Sequence, residues 1–551
     1  MHTSLEVPAL VVTTRRTANL RRVLARTAFV VALLVAAFSA AFAGLRLREV
    51  AFLDTAEFHF KGDVRNGFRW GMAAQDEGLL NLYDRIQAEL DGGGPRRTLD
   101  YTPLRLTAVW LWTRWANRHF PGYTQWVDDY DFTRPMLNAN TIAEAASAVL
   151  VFALIWLWTR RMDDARRPPG EPRRYLRGAV AGLFGALLFW FNPAVIWVSH
   201  CWPQWDVWLM PFFLAAVLLA SVNGWFTAGL MLAIGAHLKG QILLGAPILI
   251  LWPLVSLRFG AVLRLLAGFL FAGTLVALPW FKIYAPALGD APAAWNHPAV
   301  IWCVIAGLVL TAAAVVGIVL LRRYHKPIGW IAPLYAAMWA LIFLATLKYF
   351  HADTAWYTVG FKYGTEKYGD MMAGNGVWNI AKMQQTYAFN GVSWNDPSDP
   401  LALPLINKVV TYRAATFIVY GVCLLICAIG AALHSHRRRP DTRFLAAIAA
   451  PWVCFFVVLT QMHGRYLMWG AGMCSLLAGV SPGMALLGVL VSVISTLGTL
   501  ENQLDFAPSY APDWLRDLQA IDPHVGWMLL LIAMILLYVA VAPSRGTVMK
   551  R

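Results

Sequence analysis

Charge is scarce in this sequence. Only 14% of its 551 residues are charged, against 58% hydrophobic, and such a chain lacks the ionic surface of a soluble globular protein. Acids are scarcer than bases: 31 Asp and Glu stand against 46 Lys and Arg, giving a formal net charge of +15. A nucleic-acid partner would need those bases gathered on one folded face with aromatic or motif support. They lie instead in short segments between apolar runs, so no nucleic-acid partner is expected. Cysteine is also scarce. Cys201, Cys303, Cys423, Cys427, Cys454 and Cys474 sit mostly inside apolar runs without ligand spacing, which argues against a disulfide framework and against zinc. No His and acid spacing demands a metal, so none is expected.

What the chain has in abundance is apolar runs long enough to cross a bilayer. The reading is an all-α polytopic integral membrane protein. Near the start, "TTRRTANLRRVLARTAF" leads into a run ending "AFSAAFAG", which has the form of a signal peptide or, better, a retained signal-anchor. Short loops rich in Lys and Arg face the cytoplasm. Five segments qualify: the N-terminus, "RRMDDARRPPGEPRRYLR", "RRYHKP", "HSHRRRPDTR" and the tail "SRGTVMKR". Threading the runs between them predicts about fourteen transmembrane helices with both termini cytoplasmic. The parity closes if Pro103 to Trp115, with Arg105 and Arg114 inside it, is an interfacial helix and does not cross.

The expected layout is a cytoplasmic N-terminus (1–27), a first span (28–47), a first external loop with interfacial helices (48–140) and membrane core helices (141–348). A second external loop (349–412), membrane helices (413–499), an external loop (500–524), a last span (525–542) and a cytoplasmic tail (543–551) complete it. In this layout the "QMHGRYL" of "FFVVLTQMHGRYLMWGAGM" is external. His463 and Arg465 thus run against the positive-inside bias, which favours function over topology as their reason, although snorkelling at a helix end remains the competing explanation.

The first external loop carries Asp54, Glu57, Asp63, Asp76, Glu77, Asp84 and Asp100 beside aromatics and arginines. A partly desolvated carboxylate near a membrane surface is a reasonable general base for a hydroxyl acceptor. Most of the seven are ordinary loop acids, and only position relative to a motif can select among them. "DDYD" (Asp128 to Asp131) imitates the Asp-x-Asp of nucleotide-sugar enzymes, but without a soluble nucleotide domain it is read as a solvated loop.

Several pieces occur in a telling order: "GDVRNGFRW", "NLYD" and "LDYTPL" in the first loop, then "FNPAVIWVSHCWPQWD", "HLKGQILLGAP" and "QMHGRYL". Together, over roughly residues 60 to 470, they resemble GT-C-fold glycosyltransferases that use polyprenyl-phosphate sugars. The likeness is to endoplasmic-reticulum dolichyl-phosphate-glucose glucosyltransferases and bacterial polyprenyl-phosphate-mannose-type transferases. Two departures stand out: Thr102 replaces one proline of the Asp-Tyr-Pro-Pro-Leu-like segment, and Gly464 replaces the Glu of a Met-His-Glu-Arg-Tyr-Leu motif.

The resemblance implies a GT-C-like fold and sugar transfer at the external face of a membrane, expected to be a bacterial inner membrane. An acceptor hydroxyl of a glycolipid, lipid-linked glycan or cell-envelope polysaccharide would attack the anomeric carbon, with polyprenyl phosphate leaving and configuration inverting. Asp63 would be the base, with Asp100 in reserve and Tyr101 helping. The donor phosphate, developing charge as it leaves, calls for cationic donors aimed at it. Lys239, His463, Arg465 and Arg134 would supply them, with Gln241, Tyr466, His200, Gln204 and Asp206 lining the substrate cavity. No cofactor beyond the lipid-linked donor is implied.

Among the many aromatics, Trp70, Trp202, Trp205, Trp356 and Trp378 are candidates to stack on sugar faces. The second external loop, long and rich in Gly and aromatics, is expected to cap the site and to order on binding. The competing readings are a transporter or flippase of lipid-linked sugars, which should show midplane charges and two related halves, and a polysaccharide polymerase or ligase.

Overall fold

A computed structural model describes residues 8–94, 99, 101–168, 176–280, 298–323, 338, 355–362, 400–403, 408–436, 439–459, 462–504, 513, 517 and 522–543. Helix α1 (Pro8–Leu53) leads into a helical layer of α2 (Lys61–Asp76), α3 (Leu82–Asp91) and α4 (Pro103–His119), after which α5 (Tyr130–Arg166) and α6 (Leu176–Trp190) return to the bundle. A short α7 (Pro193–Ile196) ends in a π-helical turn, Trp197–Cys201. Then come α8 (Leu209–Ser221), α9 (Trp225–Leu238), α10 (Ile242–Gly245), α11 (Pro247–Val255), α12 (Phe259–Ala277) and α13 (Pro298–Arg323). The chain closes with α14 (Tyr412–His434), α15 (Arg443–Val458), α16 (Leu467–Met473), α17 (Pro482–Leu504) and α18 (Asp522–Val541).

Among the described residues, six helices are long and apolar enough to cross a membrane, ranging from Tyr130–Arg166 to His524–Val541. This is a helical, membrane-embedded protein. The described residues depart from an all-α chain in one place, an antiparallel ribbon of β1 (Pro400–Leu403) and β2 (Lys408–Thr411) that pairs Pro400 with Thr411. Several apolar stretches form shorter helices, among them Asp206–Ser221, Trp225–Leu238 and Ile242–Val255. The breaks have local causes. Asn192 caps α7 by accepting from the Ala194 and Val195 amides, with Pro193 at the first helical position, as suits a residue with no N–H to lose. Lys239 takes extended backbone at the end of α9.

Among the described residues, two apolar cores result. In the larger, every residue of α15 from Phe444 to Val458 is buried, so this helix, apolar on all sides, is the centre of the bundle. The Phe444 ring stacks on Trp158 at 3.9 Å. The smaller core joins α2, α3, α4 and the start of α5 through Phe68, Trp112 and Phe132. The first loop is therefore a folded helical layer with an interior of its own.

The expected interfacial helix exists, but its environment differs from an interfacial one. Helix α4 packs against α2 and α9, and Arg105 is completely buried while Arg114 stays exposed. The Arg105 guanidinium lies 3.4 Å over the Trp205 ring and 4.4 Å from Tyr101, where aromatic faces take the place of water.

Helices α9 and α12 cross at very short range. A Cβ on Gly268 would come within 1.9 Å of the Phe226 carbonyl oxygen, and one on Gly229 within 2.0 Å of the Leu265 oxygen. Small residues let helix backbones approach in this way. Gly268→Ala is expected to push the pair apart and cost about 1–3 kcal/mol, read as a lower midpoint in thermal unfolding of the detergent-solubilised protein. An unchanged midpoint would show that the crossing tolerates the extra methyl group.

Candidate functional site

Four separate stretches of chain meet where the first-loop layer sits on the bundle. Asp63 lies in the first turn of α2, where the helix N-terminus favours a carboxylate. Gln204 and Asp206 follow the π-helical turn, Lys239 ends α9, and Arg465 sits in a short 3-10 turn between α15 and α16.

Their side chains form an alternating row of charge. Lys239 Nζ bonds to Asp206 Oδ1, and Arg465 Nε donates to Asp206 Oδ2 at 3.1 Å. The other arm of the same guanidinium, Nη1, donates to Asp63 Oδ2 at 2.9 Å, joined there by Gln204 Nε2 at 2.5 Å. Trp469 Nε1 donates to the Asp206 carbonyl at 2.8 Å and fixes that residue's backbone. Asp206 is fully buried, while the Asp63 side chain keeps 27% of its surface exposed. A buried charge is tolerated only when paired and hydrogen-bonded. The alternation Lys, Asp, Arg, Asp meets that condition with one open end, at Asp63.

Burial pulls Lys239 down to about 8; Asp206 opposes this, while Arg465 and Arg105 add to it. For Arg465 burial works the same way, but Asp63 and Asp206 outweigh it and raise the group above its ordinary value. Arg465 is therefore a fixed cation and Lys239 a titratable one.

The remaining residues singled out in the sequence divide into several groups. His463 sits next to the row, with its ring edge on Trp202 at 5.4 Å, and its Nδ1 accepts from the Arg465 amide at 3.4 Å. Burial, with Arg465 assisting, pushes it down to about 3. It is thus a neutral imidazole whose proton belongs on Nε2, not the cation expected from its sequence context. Tyr466 stacks on Trp469 at 4.9 Å, and Lys239 Nζ lies 5.7 Å from its ring. Tyr101 packs on Trp70 at 5.0 Å, and the Arg105 guanidinium lies over its ring. Gln241 begins the turn into α10, half-buried and outside the charge row. Asp100 and Trp378 lie outside the described residues.

Two candidates are elsewhere. Arg134 is exposed and lies 3.8 Å from the exposed Asp131. His200 is buried with Nε2 3.3 Å from Glu144 Oε1, in a separate cluster with Arg48. The indoles also differ from the expected sugar platforms. Trp202 and Trp205 are buried, the first between Phe60 and His463 and the second beneath Arg105. A Cβ on Gly67 would meet the Trp205 ring at 2.2 Å, so Trp205 is wedged against α2.

Of the "DDYD" acids, Asp131 is exposed as expected of a solvated loop, but Asp128 and Asp129 are engaged. Asp129 caps α5 by accepting from the Phe132 amide at 2.9 Å, as N-cap aspartates do. Asp128 binds His59 Nδ1 at 2.7 Å and Lys61 at 3.0 Å. Burial works to raise Asp128, but these two partners outweigh it and the net shift is downward.

From the second loop, residues 355–362, described along with the β-ribbon, rest against the site. A Cβ on Gly360 would come within 2.4 Å of the Tyr101 carbonyl, and one on Gly240 within 2.5 Å of the Phe361 ring. Thr358 Oγ1 bonds to Gln87 at 3.0 Å. This segment therefore borders Tyr101 and the residue following Lys239.

Sequence reasoning missed Arg105, Arg48, Asn140 and Glu144. A signal was present for the last two. Both are polar, four residues apart, on one face of an apolar helix, and ionisable groups in such helices mark buried partners. No protein-family model matches the chain, and no curated protein matches it. The class that fold and site define is therefore a membrane-embedded helical protein with a buried, half-open row of acid and base.

Proposed function

We propose that the chain is a membrane glycosyltransferase of the GT-C type. It would carry a sugar from a polyprenyl-phosphate donor to a hydroxyl acceptor, a glycolipid, lipid-linked glycan or cell-envelope polysaccharide, on the external face of a bacterial inner membrane, with about fourteen spans over the whole chain. The observation that carries this reading is the shared guanidinium. Arg465 touches the partly exposed Asp63 with one arm and the buried Asp206–Lys239 pair with another.

That geometry suits both halves of the reaction. Arg465 and Gln204 hold Asp63 by Oδ2 alone, which leaves Oδ1 to take the acceptor proton as the hydroxyl oxygen bonds to the anomeric carbon. The bond from that carbon to the phosphate oxygen breaks on the opposite side, and configuration inverts. Negative charge grows on the departing phosphate, where the planar fork of Arg465 and the point charge of Lys239 stabilise it more than they stabilise the bound donor. His463 Nε2–H is a neutral donor beside them. The segment 355–362 would cover the site from Tyr101 to Gly240.

The transporter reading makes a different demand. Proteoliposomes containing the purified protein and a lipid-linked sugar separate the two. Transfer or release of the sugar supports the enzyme, whereas protein-dependent movement of intact lipid between leaflets without turnover supports the flippase.

Lys239 gives the reading a pH signature. Its pKa of about 8 means that the cation is present below pH 8 and is lost as pH rises through that value. Donor affinity is expected to weaken up to about tenfold per pH unit above 8. Lys239→Arg should flatten the profile. It is measured by titrating farnesyl phosphate against intrinsic tryptophan fluorescence from pH 6 to 10, and an unchanged profile in Lys239→Arg would place the titrating group elsewhere.

A further inference from the structure

A second buried polar cluster lies on α5, away from the charge row. Asn140 and Glu144 share one face of that helix, and both are fully buried. Asn140 Nδ2 donates to the carbonyls of Ser199 at 2.7 Å and Gln204 at 2.8 Å, while its Oδ1 accepts from Trp208 Nε1 at 2.7 Å. Glu144 reaches His200 with one oxygen and the Arg48 guanidinium with the other. Arg48 is itself tied to the carbonyls of Gly44 at 2.8 Å and Trp190 at 2.9 Å.

The two Asn140 donations, and the Glu144 contact through the His200 side chain, fall on one stretch of chain, the π-helical turn and the residues after it, 197–206. Single π-helical turns of this kind are rare and are frequently found at functional sites. The stretch carries both Gln204, which holds Asp63, and Asp206, which holds Lys239 and Arg465. Asn140 grips the carbonyl of the same residue whose amide side chain reaches Asp63.

We infer that Asn140 and Glu144 are positioning residues: they clamp the turn at residues 199–204 and so set where Gln204 aims the Asp63 carboxylate. The catalytic half of this inference rests on the function proposed above; the clamp does not. Asp206 has a second anchor in Trp469 Nε1, so loosening the clamp should disturb Asp63 more than it disturbs the phosphate-side cations.

Cys201 provides a readout independent of activity. It is a free, buried thiol inside the turn, donating to the Ala51 carbonyl at 3.3 Å. Asn140→Asp is nearly isosteric and keeps the acceptor for Trp208, but it loses both donations and faces two carbonyls with a charge. Maleimide labelling of Cys201, located by mass spectrometry in the full-length detergent-solubilised protein, is expected to quicken about tenfold as the turn opens locally. Cys474, buried in the bundle core, should keep its rate. In the same variant kcat for transfer should fall about 10–100-fold while the donor KM stays within about threefold.

Should Asn140→Asp fail to fold, seen as Cys201 and Cys474 reacting together, Glu144→Gln is read in the same way. Adding Arg48→Met to that variant should restore slow labelling, because it removes the charge left unpaired. Unchanged labelling of Cys201 in the folded variants overturns the clamp. Faster labelling with wild-type kcat overturns its positioning role. A wild type that transfers no sugar from any donor counts against the proposed function, and labelling still decides the clamp.

Discussion

Asp63→Asn is expected to lower sugar transfer by about 10²–10⁴-fold, the range associated with losing a positioned general base. The substitution suits this site. The structure loads both donors, Arg465 Nη1 and Gln204 Nε2, onto one oxygen of Asp63. An asparagine can leave its carbonyl oxygen there and keep both bonds, while its amide nitrogen replaces the oxygen that would take the acceptor proton. The variant should therefore keep the local geometry, at some cost in stability because the buried Arg465 loses one of its two carboxylates, so folding is checked first. Asp54→Asn, which changes an exposed acid just past α1 and outside the charge row, should transfer within about twofold of wild type, since exposed substitutions usually shift stability by less than about 0.5 kcal/mol. The comparison is made as initial rates at saturating donor. Equal loss in both variants, or no loss in Asp63→Asn, would remove Asp63 from the chemistry.

Arg465→Met should cost both activity and stability. The guanidinium bridges two carboxylates at 2.9 and 3.1 Å, and its loss leaves Asp63 without its cation and the buried Asp206 with Lys239 alone. Breaking a buried ion pair from one side typically costs about 3–5 kcal/mol. Losing a preorganised donor to a developing anion costs about 10²–10³ in kcat. Arg465→Lys separates the two effects. An ammonium restores charge but cannot span two carboxylates as a planar fork does, so this variant should regain more stability than turnover. Thermal unfolding and initial rates on the same preparations provide the test. Full activity in Arg465→Lys would mean that only charge matters at this position.

The sequence revealed the site's members better than their surroundings. Asp63, Gln204, Asp206, Lys239 and Arg465 were all legible, because each sits in a motif-bearing stretch between apolar runs, and the fold brings them into one row. His463 was legible as a member but not in its charge state, since burial beside Arg465 is a property of the assembled site. Arg134 and His200 carried the same sequence signal and went elsewhere. One is an exposed residue near the start of α5, and the other pairs with Glu144 from 56 positions earlier in the chain.

Arg105 was read as an interfacial arginine because nothing in thirteen amphipathic residues discloses that Trp205 and Tyr101 will enclose it. The helical, membrane-embedded character followed directly from composition. Where long runs break into short helices was harder to read, although Asn192–Pro193 held a local cue in its capping chemistry. The close crossing of α9 and α12 rests on glycines whose role appears only once their partners' carbonyls are in place.

The central claim is that this half-open row of charge transfers a sugar from a lipid phosphate. It is tested most directly by incubating the purified protein with a panel of polyprenyl-phosphate sugars and a hydroxyl acceptor, then determining the anomeric configuration of the product. The account predicts turnover with at least one donor, release of polyprenyl phosphate, and an inverted anomeric centre. Turnover with retained configuration would contradict a single displacement assisted by Asp63, and absence of any transfer or release across the panel would contradict the enzyme itself.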